Sequence, residues 1–204
     1  RTLQGSTLEV AGRRGASGVF ARGTRVSISR NAFRAGEADQ FLHVMSMRDV
    51  TGTVDTNLVI GGRSRELIVG RLVGSDTAWY NNTIRGGAGS RFTQAFNIDG
   101  ASRTRLVNNV LFHAAEGTGT AVYAGEDGSG LEIAANAFSG WDMVYRESSD
   151  GRRWSPPGRE DESGARTAGD LNGRSGLDAR GNLDLQDREA FTDDVHLNPG
   201  APLI

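Results

Sequence analysis

Leu106-Val107-Asn108-Asn109-Val110-Leu111-Phe112 decides the fold, because its pattern recurs along the whole chain. Asn109 has counterparts at Asn31, Asn57, Asn82, Asn136 and Asn182; in chain order the six are separated by 26, 25, 27, 27 and 46 residues. The last interval reads as one period plus an insertion. Three residues before each Asn stand Ile28, Val54, Trp79, Leu106, Ile133 and Ala179, all apolar. Two residues after stand Phe33, Val59, Ile84, Leu111 and Phe138, and only Asp184 breaks the rule. Five residues before, Val26, Thr77, Thr104, Leu131 and Leu177 are apolar or β-branched and only Gly52 departs. Mostly polar residues lie between, so each copy alternates with a period of two, the mark of a short strand with one buried face. A partial copy precedes these, with Leu3, Ser6 and Leu8 in the three slots.

The Asn between the two apolar slots is expected to form a one-residue corner. Asn accepts the left-handed conformation better than most residues, and stacked side-chain amides can bond to one another from coil to coil. A period of this length is too short for a βαβ unit with its loops and holds no long 3.6-residue apolar stripe. Three short strands separated by turns fit it. Glycine-bearing loops follow Asn82 (Gly86-Gly87-Ala88-Gly89) and Asn109 (Gly117-Thr118-Gly119), and a third strand recurs around Phe41 to Met47, Leu67 to Val69, Gln94 to Ile98, Ala121 to Ala124 and Asp142 to Tyr145. Coils of this kind stack about 4.8 Å apart into a parallel β-solenoid. The expected class is therefore all-β, a single domain over 1–204 with about six or seven coils, each of three short strands.

Composition agrees and excludes several chemistries. The chain has 204 residues, 29 of them glycine, only 4 proline, no cysteine and no lysine, so all 23 basic residues are arginine. That glycine share is about twice the usual one, as expected of many tight turns around a narrow core. Disulfides, thiolate metal sites, Schiff-base lysines and P-loop lysines are excluded. A formal charge of −2 provides no bulk field for nucleic acid. No apolar run approaches the roughly 20 residues of a membrane span, so no membrane insertion is expected. The start at Arg1 and the stop at Pro202-Leu203-Ile204 suggest a segment of a longer precursor.

Runs such as Val26-Ser27-Ile28-Ser29-Arg30-Asn31-Ala32-Phe33 and Tyr80-Asn81-Asn82-Thr83-Ile84 resemble the repeats of right-handed parallel β-helix proteins of the pectin-lyase-like group. The ending Asp194-Val195-His196-Leu197-Asn198-Pro199-Gly200 resembles a segment that closes such helices in secreted bacterial proteins. The resemblance covers about 3–145 and 175–204, and it implies an extracellular or cell-surface location and a polysaccharide or other glycan as partner. Residues 175–204 are expected to form the last coil and closing segment. Residues 146–174 break the pattern and read as a polar loop insertion, either a lid bearing Trp154 as a stacking platform or a passive excursion.

The resemblance also implies where to look, namely the groove beside the third strand. His43, Asn97, Tyr123 and Tyr145 are candidate carbohydrate contacts there, with Trp154 from the insertion. Asp99 and Glu126 lie one coil apart in sequence and form the candidate acid–base pair of a hydrolase, with Arg146 beside them. A lyase reading gives Arg71 or Arg146 the role of base and requires a calcium cage. Arginine is a poor base at its usual pKa, and no matching run of Asp provides the cage. No histidine pair has metal-ligand spacing, so no metal or cofactor is expected. Two readings result. The favoured one is a non-catalytic module of an exported bacterial protein that presents a groove to carbohydrate or a surface partner; the other is a glycoside hydrolase or polysaccharide lyase. Tyr123 is expected outside the core, and Leu106 and Ile133 within it.

Overall fold

The computed structural model describes residues 1–100, 102–113, 118–125, 130–148 and 163–185. They form a right-handed parallel β-helix with three sheets, each of seven strands. The first sheet runs from Thr2–Gln4 through Asp76–Tyr80 and Arg103–Val107 to Asp178–Arg180. The second runs from Thr7–Val10 through Thr83–Gly86 to Leu183–Asp184. The third contains Gly15–Arg22, Phe41–Arg48, Arg63–Val73, Ala88–Asp99, Gly119–Ala124 and Met143–Glu147, all parallel, and ends with Ser163–Ala165 antiparallel to Met143–Glu147.

The apolar slots of the repeat become stacked rows. Leu3, Ile28, Val54, Trp79, Leu106, Ile133 and Ala179 are register partners on the inside of the first sheet. Leu8, Phe33, Val59, Ile84, Leu111 and Phe138 do the same on the second. Trp79 is fully buried, packed edge-on against Phe96 with ring centroids 4.9 Å apart. Gly70 makes room for both rings, since a Cβ there would meet Phe96 at 3.0 Å and Trp79 at 3.3 Å.

The asparagines form the expected ladder. From Asn31 to Asn136, each donates its backbone N–H and its Nδ2 to the Oδ1 of the next, at 2.9–3.2 Å. Nδ2 also donates to the carbonyl of the apolar residue one coil back, from Leu3 for Asn31 to Ile133 for Asn182. Every amide is therefore satisfied although none of the six exceeds 4% exposure. One expectation is corrected. The left-handed residue is not the ladder Asn but the one before it: Arg30, Thr56, Asn81, Asn108 and Ala135 have φ of 53–57°, with Gly5 and Gly181 at the ends. The side chain that turns inward to bond needs the bend immediately upstream, and the bend residue points out to solvent.

At the far end the pattern changes and closes. The helix Ala168–Asn172 is capped by a reciprocal Thr167–Asp170 box and buries Ala168 and Leu171. Asp184, the residue that broke the apolar rule, accepts the Ala168 N–H on both carboxylate oxygens at 2.9 and 2.8 Å. Asn172 of the same helix accepts from the Asn182 N–H and Nδ2, at 3.1 and 2.8 Å, and so provides a last rung for the ladder. The expected polar insertion over 146–174 is thus different at its edges. Arg146 and Glu147 belong to a strand, and residues 163–174 contain a strand and the closing helix, because Ala165, Ala168 and Leu171 are buried apolar residues.

Candidate functional site

The outer face of the third sheet carries the site, and a bend in every coil shapes it. Register pairing passes over Gly18, Val44, Val69, Ala95, Ala121 and Val144. From Val44 onward the skipped residue and its successor are both buried, as in Val44-Met45, Ala95-Phe96 and Val144-Tyr145. Two successive inward residues, repeated at the same place in each coil without a change of register, bend the strands together and reset which face each side chain takes. Outward residues then come three apart: His43 and Ser46, Ile68 and Arg71, Gln94 and Asn97, Thr120 and Tyr123, Met143 and Arg146.

Across the coils this gives the row Phe20, Ser46, Arg71, Asn97, Tyr123, Arg146. Parallel rows are Ser17, His43, Ile68, Gln94 and Arg22, Arg48, Val73, Asp99. A groove of about 720 Å³ runs over them, lined among others by Phe20, Phe41, His43, Arg48, Arg71 and Asp99. Asn97 and Tyr123 also line it.

Tyr145, expected in the groove, lies inside instead. It is the register partner of Val122, not of Tyr123, and belongs to the core at 1% exposure. The Arg174 guanidinium sits 5.2 Å from its ring centre and also bonds Glu147 at 2.9 Å. Burial pushes the Tyr145 phenol well above its ordinary pKa. Arg146 does face outward but is only 2% exposed, and burial lowers its pKa, with nearby Tyr123 opposing the shift. Tyr123 is on the outer face as expected, yet is 5% exposed and well packed. Glu126 and Trp154 lie outside the described residues.

Asp99 is exposed on the groove and accepts the Gly100 N–H at 2.9 Å. Its carboxylate passes over Gly125, where a Cβ would come within 2.6 Å of it. Glu66, another acid of the groove, is tied to Arg91 at 2.5 Å. Glu66 and Asp99 cannot act as a pair. Seven residue steps separate Glu66 from Val73, the partner of Asp99, which is about 20 Å along the strand, whereas glycosidase carboxylates stand about 5 to 9.5 Å apart. Among the described residues no group of three His, Asp or Glu could hold a metal ion.

Asn97 donates from Nδ2 to Gln94 Oε1 at 2.9 Å, which fixes its amide at the edge of the groove. His43 stands between Ser17 and Ile68 with its ring 5.2 Å from that of Phe41. Its pKa is lowered to about 4, mainly by burial and then by the Arg71 charge, with Glu66 opposing. The imidazole is neutral near pH 7. No carboxylate among the described residues pairs with Arg48 or Arg71.

Sequence reasoning missed Phe20, Phe41 and Arg48. Spacing held the signal, since Phe20 to Ser46 and Arg22 to Arg48 are each one period of 26 residues. Compared with protein-family models, curated proteins and solved structures, the chain matches none.

Proposed function

We propose that the chain is a non-catalytic β-helix module of an exported, surface-bound or secreted bacterial protein of the pectin-lyase-like type, and that its third-sheet groove binds a glycan bearing acidic groups. One observation carries this reading: two guanidiniums, Arg48 and Arg71, line an aromatic-edged groove without a carboxylate partner among the described residues. With Glu66 held by Arg91, these two cations outnumber the one remaining acid of the groove among the described residues, Asp99, which favours an anionic ligand, and arginine's planar fork matches a carboxylate or sulfate. Phe20 and Phe41 add exposed rings, and Asn97 an amide, suited to sugar rings and hydroxyls, with Tyr123 packed at the edge of the groove. Of the described acids of the groove, Asp99 and Glu66 stand too far apart to act as a cleaving pair, which supports binding by these residues.

Affinity gel electrophoresis against acidic and neutral polysaccharides tests it. Retardation should occur on acidic chains, weaken with added salt, and fall about tenfold for Arg71→Ala, the loss expected of one charge-assisted contact. The fold should be unchanged in that variant. Absence of retardation on every polysaccharide would overturn the reading. New reducing ends or unsaturated products released from the bound chain would move the assignment to an enzyme.

A further inference from the structure

We infer that the ligand of this groove is amphiphilic: an acidic saccharide carrying an apolar substituent such as an acyl or alkyl chain. The inference rests on the groove being the binding site and goes on to name what else the ligand carries. The described residues leave three large apolar side chains exposed: Phe20 at 70%, Phe41 at 39% and Leu183 at 42%. Two of the three line the same groove. Scattered exposed apolar residues are ordinary, but these two line one concave site from its two sides, on adjacent coils and about 15 Å apart along the strand direction, which marks a contact surface.

Both phenylalanines stand on the first two coils, Phe20 on Gly15–Arg22 and Phe41 on Phe41–Arg48. Phe41 lies flat over Gly15, where any Cβ would meet the ring at 2.3 Å, so the chain there leaves space for the ring beside the groove. His43 lies against Phe41, and its lowered pKa marks this end as poorly hydrated. Ile68 and Val73 continue the apolar character one coil on. The polar side chains Arg71, Asn97 and Asp99 fill the following coils, and Arg48 flanks the junction. The groove therefore changes along its length, with its two exposed rings over the first two coils and a polar remainder in which Arg71 and Asn97 stand with the acid Asp99. A bare sugar acid would leave Phe20 wet; an acid with an apolar tail covers it while its anionic group meets Arg48 and Arg71.

Methyl glucuronide and octyl glucuronide, held below micelle-forming concentrations, separate the possibilities in calorimetric titrations of the intact chain. The octyl compound should bind about tenfold more tightly or better, since several methylenes leave water. That advantage should shrink to about threefold or less in Phe20→Ser with Phe41→Ser, two surface changes, and Arg71→Ala should weaken both compounds alike. Equal affinity for the two compounds overturns the amphiphile and leaves the acidic-glycan reading standing. An octyl advantage that survives loss of both rings overturns the placement of the tail. Failure of both compounds and of every acidic polysaccharide overturns both readings together.

Discussion

The asparagine corner and the outer face of the third sheet are each a stack of one side chain per coil, yet the corner repeats one residue and the face does not. Six coils place Asn at the corner, while the outer row reads Phe20, Ser46, Arg71, Asn97, Tyr123, Arg146. The difference is one of partners. A ladder Asn accepts from the coil before it and donates to the coil after it, so its identity is dictated by copies of itself. An outward side chain is not held by copies of itself and can take the chemistry that its own surroundings, whether packed neighbours, solvent or ligand, require. Repetition therefore marks the scaffold, and departure from repetition on a repeated framework marks the site.

The largest effect should come from breaking the corner. Asn109→Leu keeps the branched shape but strands the Asn82 N–H, which bonds its Oδ1, and removes three further bonds: one of the two made by Asn82 Nδ2, which keeps Val54, and those from its own Nδ2 to the Trp79 and Val107 carbonyls. At about 2 kcal/mol for the stranded N–H and about 1 kcal/mol for each of the other bonds lost, a loss of about 5 kcal/mol is expected in urea unfolding. A loss below about 1 kcal/mol would mean the amide stack is not what holds the coils in register.

Next comes the boundary between the two regions, where one tyrosine lies inside and its neighbour in the stack outside. Tyr145→Ala removes a core ring and should cost about 4 kcal/mol. Tyr123→Ala, on the outer face one coil earlier, should cost clearly less, although its 5% exposure means the cost is no longer negligible. Equal losses in the two thermal denaturation curves would show that the bend at Val144 does not turn Tyr145 inward.

These cases also show what the chain displays in its primary structure. The first two sheets were legible because strict alternation around a fixed Asn marks the inner rows with few exceptions, and the exception at Asp184 proved to be a helix cap. The third sheet was legible only as a recurring apolar stretch. Its bend puts two successive residues inward, and simple alternation then assigns Tyr145 to the wrong face. The closing rung from Asn172 was hidden because a helix delivers it out of period. Charge pairing was only half visible: Glu66 and Arg91 stand one period of 25 residues apart, but nothing in the order of residues shows that Arg71 finds no acid among the described residues.

The smallest expected effect separates the regions by pH. Ladder amides do not titrate, so their contribution is the same at pH 4 and pH 7. His43 does titrate, and its pKa falls from 6.5 in the unfolded chain to about 4 in the folded one. Between those values the unfolded state binds the extra proton, so stability rises with pH through this window. The contribution is fully present above about pH 6.5 and is lost as the pH drops toward 4. For a partly exposed ring the loss should be on the order of 2 kcal/mol, less than the full shift would give. His43→Gln removes the titration and should flatten that part of the stability curve, while Asn109→Leu should lower the curve throughout without changing its slope. If His43→Gln keeps the wild-type slope between pH 4 and 6.5, other groups drive the acid sensitivity, and the poorly hydrated end of the groove loses its support.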